Sequence, residues 1–205
     1  MKKSLFLILA LLFTLAIPSL LRAQDDDTPA ITPSTAPYIF DAFAAKPRGD
    51  AYIAGIVSQD FKSAPDEFSQ WDYFQKLQPV IQRKIKDAKA AGSFRLKVGG
   101  DLERYNFDNM SFPTGYDTNA IITLGNLSYS VKFVNVTDFA FIPVPIESAR
   151  KFQVQLRESR AVTFEVVVTP VGGQFESGGF NVIQARIQSF RILMPDGQVL
   201  AEKKL

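Results

Sequence analysis

The 205-residue chain carries 23 basic and 21 acidic residues, 18 phenylalanines, no cysteine and no histidine. Without cysteine it has neither disulfides nor thiolate metal sites. Without histidine it has no Ser-His-Asp or Cys-His nucleophile, no His-ligated zinc and no histidine pH switch, which leaves carboxylate pairs, Ser-Lys arrangements and oxygen-only calcium or magnesium sites.

The chain opens with Lys2 and Lys3, an apolar run from Leu5 to Ile17 and a terminating Pro18, after which Leu21-Arg22-Ala23 leads into Gln24. A positive start, a short apolar helix and a small residue at the last position make a signal peptide, with Ala23 and Gln24 flanking the cleavage point. A permanent anchor needs about 20 apolar residues, and Pro18, Ser19 and Arg22 interrupt the run too early. The expectation is therefore a periplasmic or secreted chain, touching a membrane only through an uncleaved signal or by peripheral contact. Losing Lys2, Lys3 and Arg22 changes the net charge from +2 to −1. No basic block remains, so nucleic acid is not an expected partner. The remaining 182 residues, 16 of them phenylalanine, suffice for one well-buried core.

Residues 24–37, QDDDTPAITPSTAP, are acidic and then rich in Pro, Thr and Ser, and they read as a flexible leader. Residues 38–205 read as one folded domain. Tyr38, Phe40, Phe43, Tyr52 and Ile53 mark its entry, through a loop containing Pro47, Arg48, Gly49 and Asp50. Ser63-Ala64-Pro65-Asp66 predicts a helix start, with Ser63 as cap, Pro65 in the first turn and Asp66 at a capping-box position. Phe68, Trp71, Phe74, Leu77, Ile81, Ile85 and Ala88 follow at spacings of three and four, an apolar stripe opposite Gln82, Lys84, Lys86 and Lys89. Pro79 predicts a kink or two abutting helices broken at Gln78. Such a helix either covers a sheet or lies on a membrane surface.

Beyond Gly92 the apolar period falls to two. Phe94–Val98, Leu127–Phe133, Val162–Thr169 and Ile183–Gln188 alternate as strands with one buried and one wet face. Pro145–Leu156 reads as a short helix, residues 170–179 as a glycine-rich loop or hairpin tip, and Met194–Gln198 as a turn into a last strand. The predicted fold class is α+β: an amphipathic helix, kinked or paired, packed on a mainly antiparallel sheet or small sandwich of six to eight strands. An outer-membrane barrel is disfavoured by the strong helix and the irregular strand lengths.

The densest mixture of acids, aromatics and turn residues is Gly99–Asp117. Asp101, Glu103 and Asp108 there are the candidates for a hydrolytic carboxylate pair or, with Asn106 and Asn109, a calcium site. Tyr105, Phe107, Phe112 and Tyr116 are the candidate ligand-binding residues, an aromatic platform for a sugar or peptide, against the alternative that Tyr105 and Phe107 alternate into the core while Phe112-Pro113 staples a loop. Arg160 is either an anion clamp or a strand-end ion-pair partner. Ser159 has no lysine at nucleophile-motif spacing. Asn109, Asn126 and Asn135 each open an Asn-X-Ser/Thr sequon, a chance match in a chain whose MKK start and missing disulfides look bacterial.

The stretches LERYNFDNMSFP, IPVPIESARKF, ESRAVTFEVVVTPVG and IQARIQSFRIL resemble an uncharacterised family of exported bacterial domains of unknown function. The resemblance covers most of the chain beyond the leader and implies no activity, cofactor or catalytic residue. With no cofactor expected, the leading reading is a non-enzymatic envelope protein. It would bind a partner protein or surface ligand through an exposed strand edge or the aromatic Gly99–Asp117 segment. The rivals are a histidine-free hydrolase and a peripheral membrane protein.

Overall fold

The computed structural model describes residues 27–125, 129–176 and 179–205; the expected signal segment, with Ala23 and Gln24, lies outside them. Along the described residues run α1 (Ala36–Phe43), α2 (Asp50–Val57), α3 (Gln59–Lys62), α4 (Glu67–Ala91), β1 (Phe94–Asp101), β2 (Ser111–Pro113), β3 (Ile121–Thr123) and β4 (Tyr129–Phe133). A 3-10 turn (Val136–Phe139), β5 (Phe141–Pro143), α5 (Ile146–Lys151), α6 (Gln153–Glu158), β6 (Ala161–Phe175), β7 (Asn181–Leu193) and β8 (Val199–Lys204) complete it. The class is α+β, as the change of period at Gly92 predicts.

The centre is the β6–β7 ribbon. Val162, Phe164, Val166 and Val168 alternate inward on β6, and Phe190 and Ile192 face them from β7. The sheet order is β1-β6-β7-β4-β3, and β8 also pairs with β7; β2 and β5 form a separate two-stranded sheet. Pairing is antiparallel except between β4 and β7. One edge of β7 thus serves two strands: β4 along Asn181–Ala185 and β8 along Ser189–Leu193. Ile187 falls in the gap. The buried Asn135 side chain fills it, donating to the Ile187 carbonyl (3.1 Å) and accepting from its N–H (2.8 Å).

The inner face of the sheet is covered from two sides. At one end α1 sets Ile39 and Phe40 into the core, Phe40 edge-on to Tyr129 at 5.8 Å between ring centroids. At the other end Tyr116, Phe133, Phe139, Phe164 and Phe190 form an aromatic cluster, with Tyr116 edge-on to three of the others. The outer face carries a row of opposite charges. Glu165, 3% exposed, pairs with Arg191 and with Lys97 (3.2 Å), its register neighbours on both sides.

Helix α4 is continuous through Pro79 and packs on α1 and α2. It meets the sheet core through Ala88, while α1 touches both α4 and the β6–β7 ribbon. Gln78 and Gln82 both donate to the Asp50 carboxylate at the head of α2, which fixes α4 on that helix. The helix starts three residues later than the Ser63 cap predicts. Asp66 is the N-cap, its carboxylate accepting from the Ser69 N–H at 2.8 Å, and Ser63 ends α3 instead. Asp caps as well as Ser, so the sequence offers two competing caps, and the turn after α3 takes the first.

Two further expectations change. The leader expected over 24–37 is ordered from Pro29: the Arg95 N–H donates to the Pro29 carbonyl and the Ile31 N–H to the Arg95 carbonyl, adding this segment to the edge of β1. Ile31 and Ala36 are core residues, so a segment whose composition is that of a linker instead covers an open sheet edge. The glycine-rich loop expected over 170–179 is mostly strand, β6 running to Phe175 with a register shift at Pro170–Gly172. Gly173 is there for close approach, since an added Cβ would lie 2.9 Å from the Phe40 ring and 3.0 Å from the Ala44 Cβ.

Replacing Asn135 with Ala orphans the buried N–H and C=O of Ile187. At about 1–3 kcal/mol for each of the two buried unsatisfied groups, a loss of roughly 2–6 kcal/mol is expected in urea unfolding; an unchanged midpoint contradicts this role. Glu165 provides a pH test. Burial, the largest influence, raises its pKa, but the bonds and charges of Arg191 and Lys97 outweigh burial and leave the carboxyl below its ordinary 4.5. A depressed folded pKa stabilises above the unfolded value of about 4.3 and ceases to do so as pH falls through the folded value. The stability difference between wild type and Glu165→Gln should therefore be full at neutral pH and shrink below about pH 4.3.

Candidate functional site

Leaving β1, the chain enters the segment richest in candidate residues. Leu102 is buried and its N–H donates to the Arg160 carbonyl at 2.8 Å, while the Arg160 guanidinium donates back to the carbonyls of Leu102 and Glu103. This reciprocal clasp anchors the segment to the start of β6. Asn106 and Ser111 then exchange backbone hydrogen bonds (2.8 and 3.1 Å), and the Asn106 side chain accepts from the N–H of Asp108 at 2.9 Å, closing a tight loop. Met110 takes the left-handed conformation (φ 50°) that this turn requires. Phe112 follows in β2, opposite Ile142 of β5.

Three of the four predicted aromatics converge. Phe107, Tyr105 and Phe112 form a ladder of edge-to-face rings, 5.1 Å and then 5.0 Å between centroids. Phe112 is fully buried at its foot, Tyr105 is half-buried with its hydroxyl donating to the Val144 carbonyl at 2.6 Å, and Phe107 stands 71% exposed at its tip. Tyr116 is elsewhere. Its ring sits in the aromatic cluster under the sheet, and burial pushes its hydroxyl up to about 12. The ligand role expected of Tyr116 gives way to packing because β2 and the turn after it carry it beneath β6 and β7.

The ladder is one wall of a groove of about 330 Å³; the other wall comes from α5 and α6, through Ile146, Ala149 and Leu156. Beside Ala149 on α5 and Leu156 on α6, Arg150 and Arg157 line the same groove. With Arg160 these are the charged side chains of the lining, and all three are cationic. Arg150 pairs with Glu147 at 2.9 Å; no carboxylate pairs with Arg157 among the described residues. The groove combines an apolar floor with a cationic rim, and its volume is at the lower end of small-ligand sites, about 300–1,000 Å³.

The acids of the same stretch take no part. Asp101, Glu103 and Asp108 are exposed, and none of them lines the groove. Among the described residues no three His, Cys, Asp or Glu side chains are grouped to hold a metal, and no helix is long and apolar enough to cross a membrane. Of the sequon asparagines, Asn135 is buried with both amide groups bonded, Asn109 accepts the Ser111 hydroxyl, and Asn126 lies outside the described residues. On α4, Lys84 and Lys89 lie over the rings of Tyr38 and Phe43 of α1.

Arg150 and Arg157 are the groove residues that sequence reasoning missed. Their seven-residue spacing was readable, but nothing in it places α5 and α6 beside the Tyr105 loop. That contact depends on Arg160 and on the β2–β5 pairing.

These features define an α+β protein with an aromatic–arginine groove. The chain belongs to the family described as a domain of unknown function (DUF4852), whose model matches residues 49–155. The matched span includes α2 to α4, the aromatic ladder and α5, and it ends within α6. No curated protein and no solved structure matches the chain.

The ladder separates a structural from an exposed aromatic. Phe112→Ala should cost about 3–5 kcal/mol in thermal or urea unfolding, whereas Phe107→Ala should stay within about 0.5 kcal/mol of wild type. Equal losses in the two variants would mean that Phe107 is also a core residue.

Proposed function

We propose that the protein is an exported, non-enzymatic binding module of the bacterial envelope, periplasmic or secreted, that takes an apolar segment bearing acidic groups. The observation that carries this reading is the groove: an exposed aromatic edge at Phe107, an apolar wall on α5 and α6, and three arginines with no acid among the lining residues. Guanidinium groups bind carboxylates through planar, paired hydrogen bonds, and aromatic rings add area at small conformational cost. Arg157 is the member of the trio best suited to an incoming carboxylate, since Arg160 already donates to two backbone carbonyls and Arg150 is paired with Glu147. Export rests on the Lys2–Gln24 pattern, and a non-enzymatic role on the dispersal of Asp101, Glu103 and Asp108 over exposed positions.

Two measurements test the proposal. Expressed as the full precursor, the chain should be recovered outside the cytoplasm with Gln24 as its first residue; an unprocessed cytoplasmic product rejects export. Immobilised residues 24–205 should retain an envelope partner that the Phe107→Ala/Arg157→Glu double variant retains at least tenfold less, with retention falling as salt rises. Equal retention by both proteins rejects the groove as the binding site.

A further inference from the structure

A second exposed aromatic feature lies at the start of α4. The first turns of α4 carry Phe68, 83% exposed, and Trp71, 57% exposed; the buried residue of this helix is Ile81, three turns further on. Trp71 leans on Phe74, and Phe74 on Phe61 of α3, at 5.7 and 6.3 Å between centroids. This gives the pair a firm base while leaving it in solvent. An exposed aromatic pair on a firm base is a candidate interaction surface. Their setting is acidic: Asp66 caps the helix, Glu67 follows, and Asp72 sits four residues beyond Phe68 on the same face. Over residues 60–76 four acids face two bases. An anionic membrane surface is a poor match for that charge.

What fits an acid-flanked aromatic pair is an apolar cleft with a cationic rim, and the same chain carries one. We propose that Phe68 and Trp71 of one copy enter the Tyr105–Phe107 groove of a second copy, with Glu67 and Asp72 set against Arg150 and Arg157. The proposal rests on the groove reading above and names one occupant for it. The proposed contact is heterologous: one tip in one groove leaves the first copy a free groove and the second a free tip, and assembly proceeds head to tail into rings or open chains. Two aromatic side chains contribute at most about 300–500 Å², against roughly 800 Å² per partner in a standard interface. The association is therefore weak, concentration-dependent and sensitive to salt.

The test is sedimentation velocity on the full mature chain, residues 24–205, in three forms: wild type, a tip variant (Phe68→Ser/Trp71→Ser) and a groove variant (Phe107→Ala/Arg157→Glu). All four positions are exposed, and thermal melts check that the variants remain folded. The wild type should pass from monomer to dimer and larger species with rising concentration, and should shift back toward monomer as salt rises. Each variant alone should remain monomeric over the same range, because each lacks one half of the contact. Mixed, they should recover a one-to-one dimer and nothing larger, since the groove variant keeps its tip and the tip variant its groove. A wild type that stays monomeric throughout overturns the proposal, as does a variant that assembles like wild type or a mixture that fails to dimerise. The groove reading is judged separately: if the groove variant loses the envelope partner while the wild type never self-associates, the groove stands and only its proposed occupant is rejected.

Discussion

The edge of β7 is divided between a parallel partner, β4, and an antiparallel one, β8, and neither reaches Ile187. Strands running in opposite directions along one edge cannot meet without leaving backbone groups unpaired between them, and buried orphans are costly. The Asn135 carboxamide resolves this because it offers one donor and one acceptor at the spacing of a peptide group. Much of the rest follows from that join. It lets β4 and β3 extend the sheet at one end while β8 extends it at the other, and it sends the chain straight from β4 into the 3-10 turn that seats Phe139 against Phe190.

The curled sheet then needs two covers. One is α1, whose Phe40 comes so close to β6 that only glycine fits at position 173. Arg48 secures this end: its guanidinium lies 3.7 Å from the centre of the Phe175 ring and donates to Asn181, while the N–H groups of Arg48 and Gly49 donate to the buried Asp41 carboxylate. The other cover is the segment around Tyr116 together with the 3-10 turn, whose Tyr116 and Phe139 rings pack on Phe133, Phe164 and Phe190. Because α1 takes the sheet, α4 is left to pack on helices, and its first turns extend past them. The exposed tip and the groove are both by-products of how the two ends of one sheet are closed.

The charge arrangement differs between the two surfaces. On the outer sheet face opposite charges alternate strand by strand, and Glu165 is spent on Lys97 and Arg191. Around the groove the cations outnumber their partners, and around the α4 tip the acids do. Charges paired within the fold cannot steer an encounter; segregated ones can. This contrast favours the groove over the charged face of the sheet as a docking surface.

Sequence by itself determined the class and the alternating strands β1, β4, β6, β7 and β8, but not β2, β3 or β5, because alternation in Phe94–Val98 or Val162–Val168 is a local consequence of one buried and one wet face. It also determined the helix of Phe68–Ala88 and the absence of cysteine and histidine chemistry. Only the tertiary structure decided which of the candidate aromatics share a site. Alternation puts Tyr105 and Phe107 together in the core, yet Phe107 is exposed, Phe112 is the buried ring of the three, and Tyr116 goes under the sheet. It decided too that Gly173 marks a packing contact rather than a turn, that residues 29–31 guard the edge of β1, and that the stripe on α4 is buried at one end and bare at the other. The reason is common to all of these. Periodicity records that a side chain will be buried, while the element that buries it is set by contacts between residues tens of positions apart.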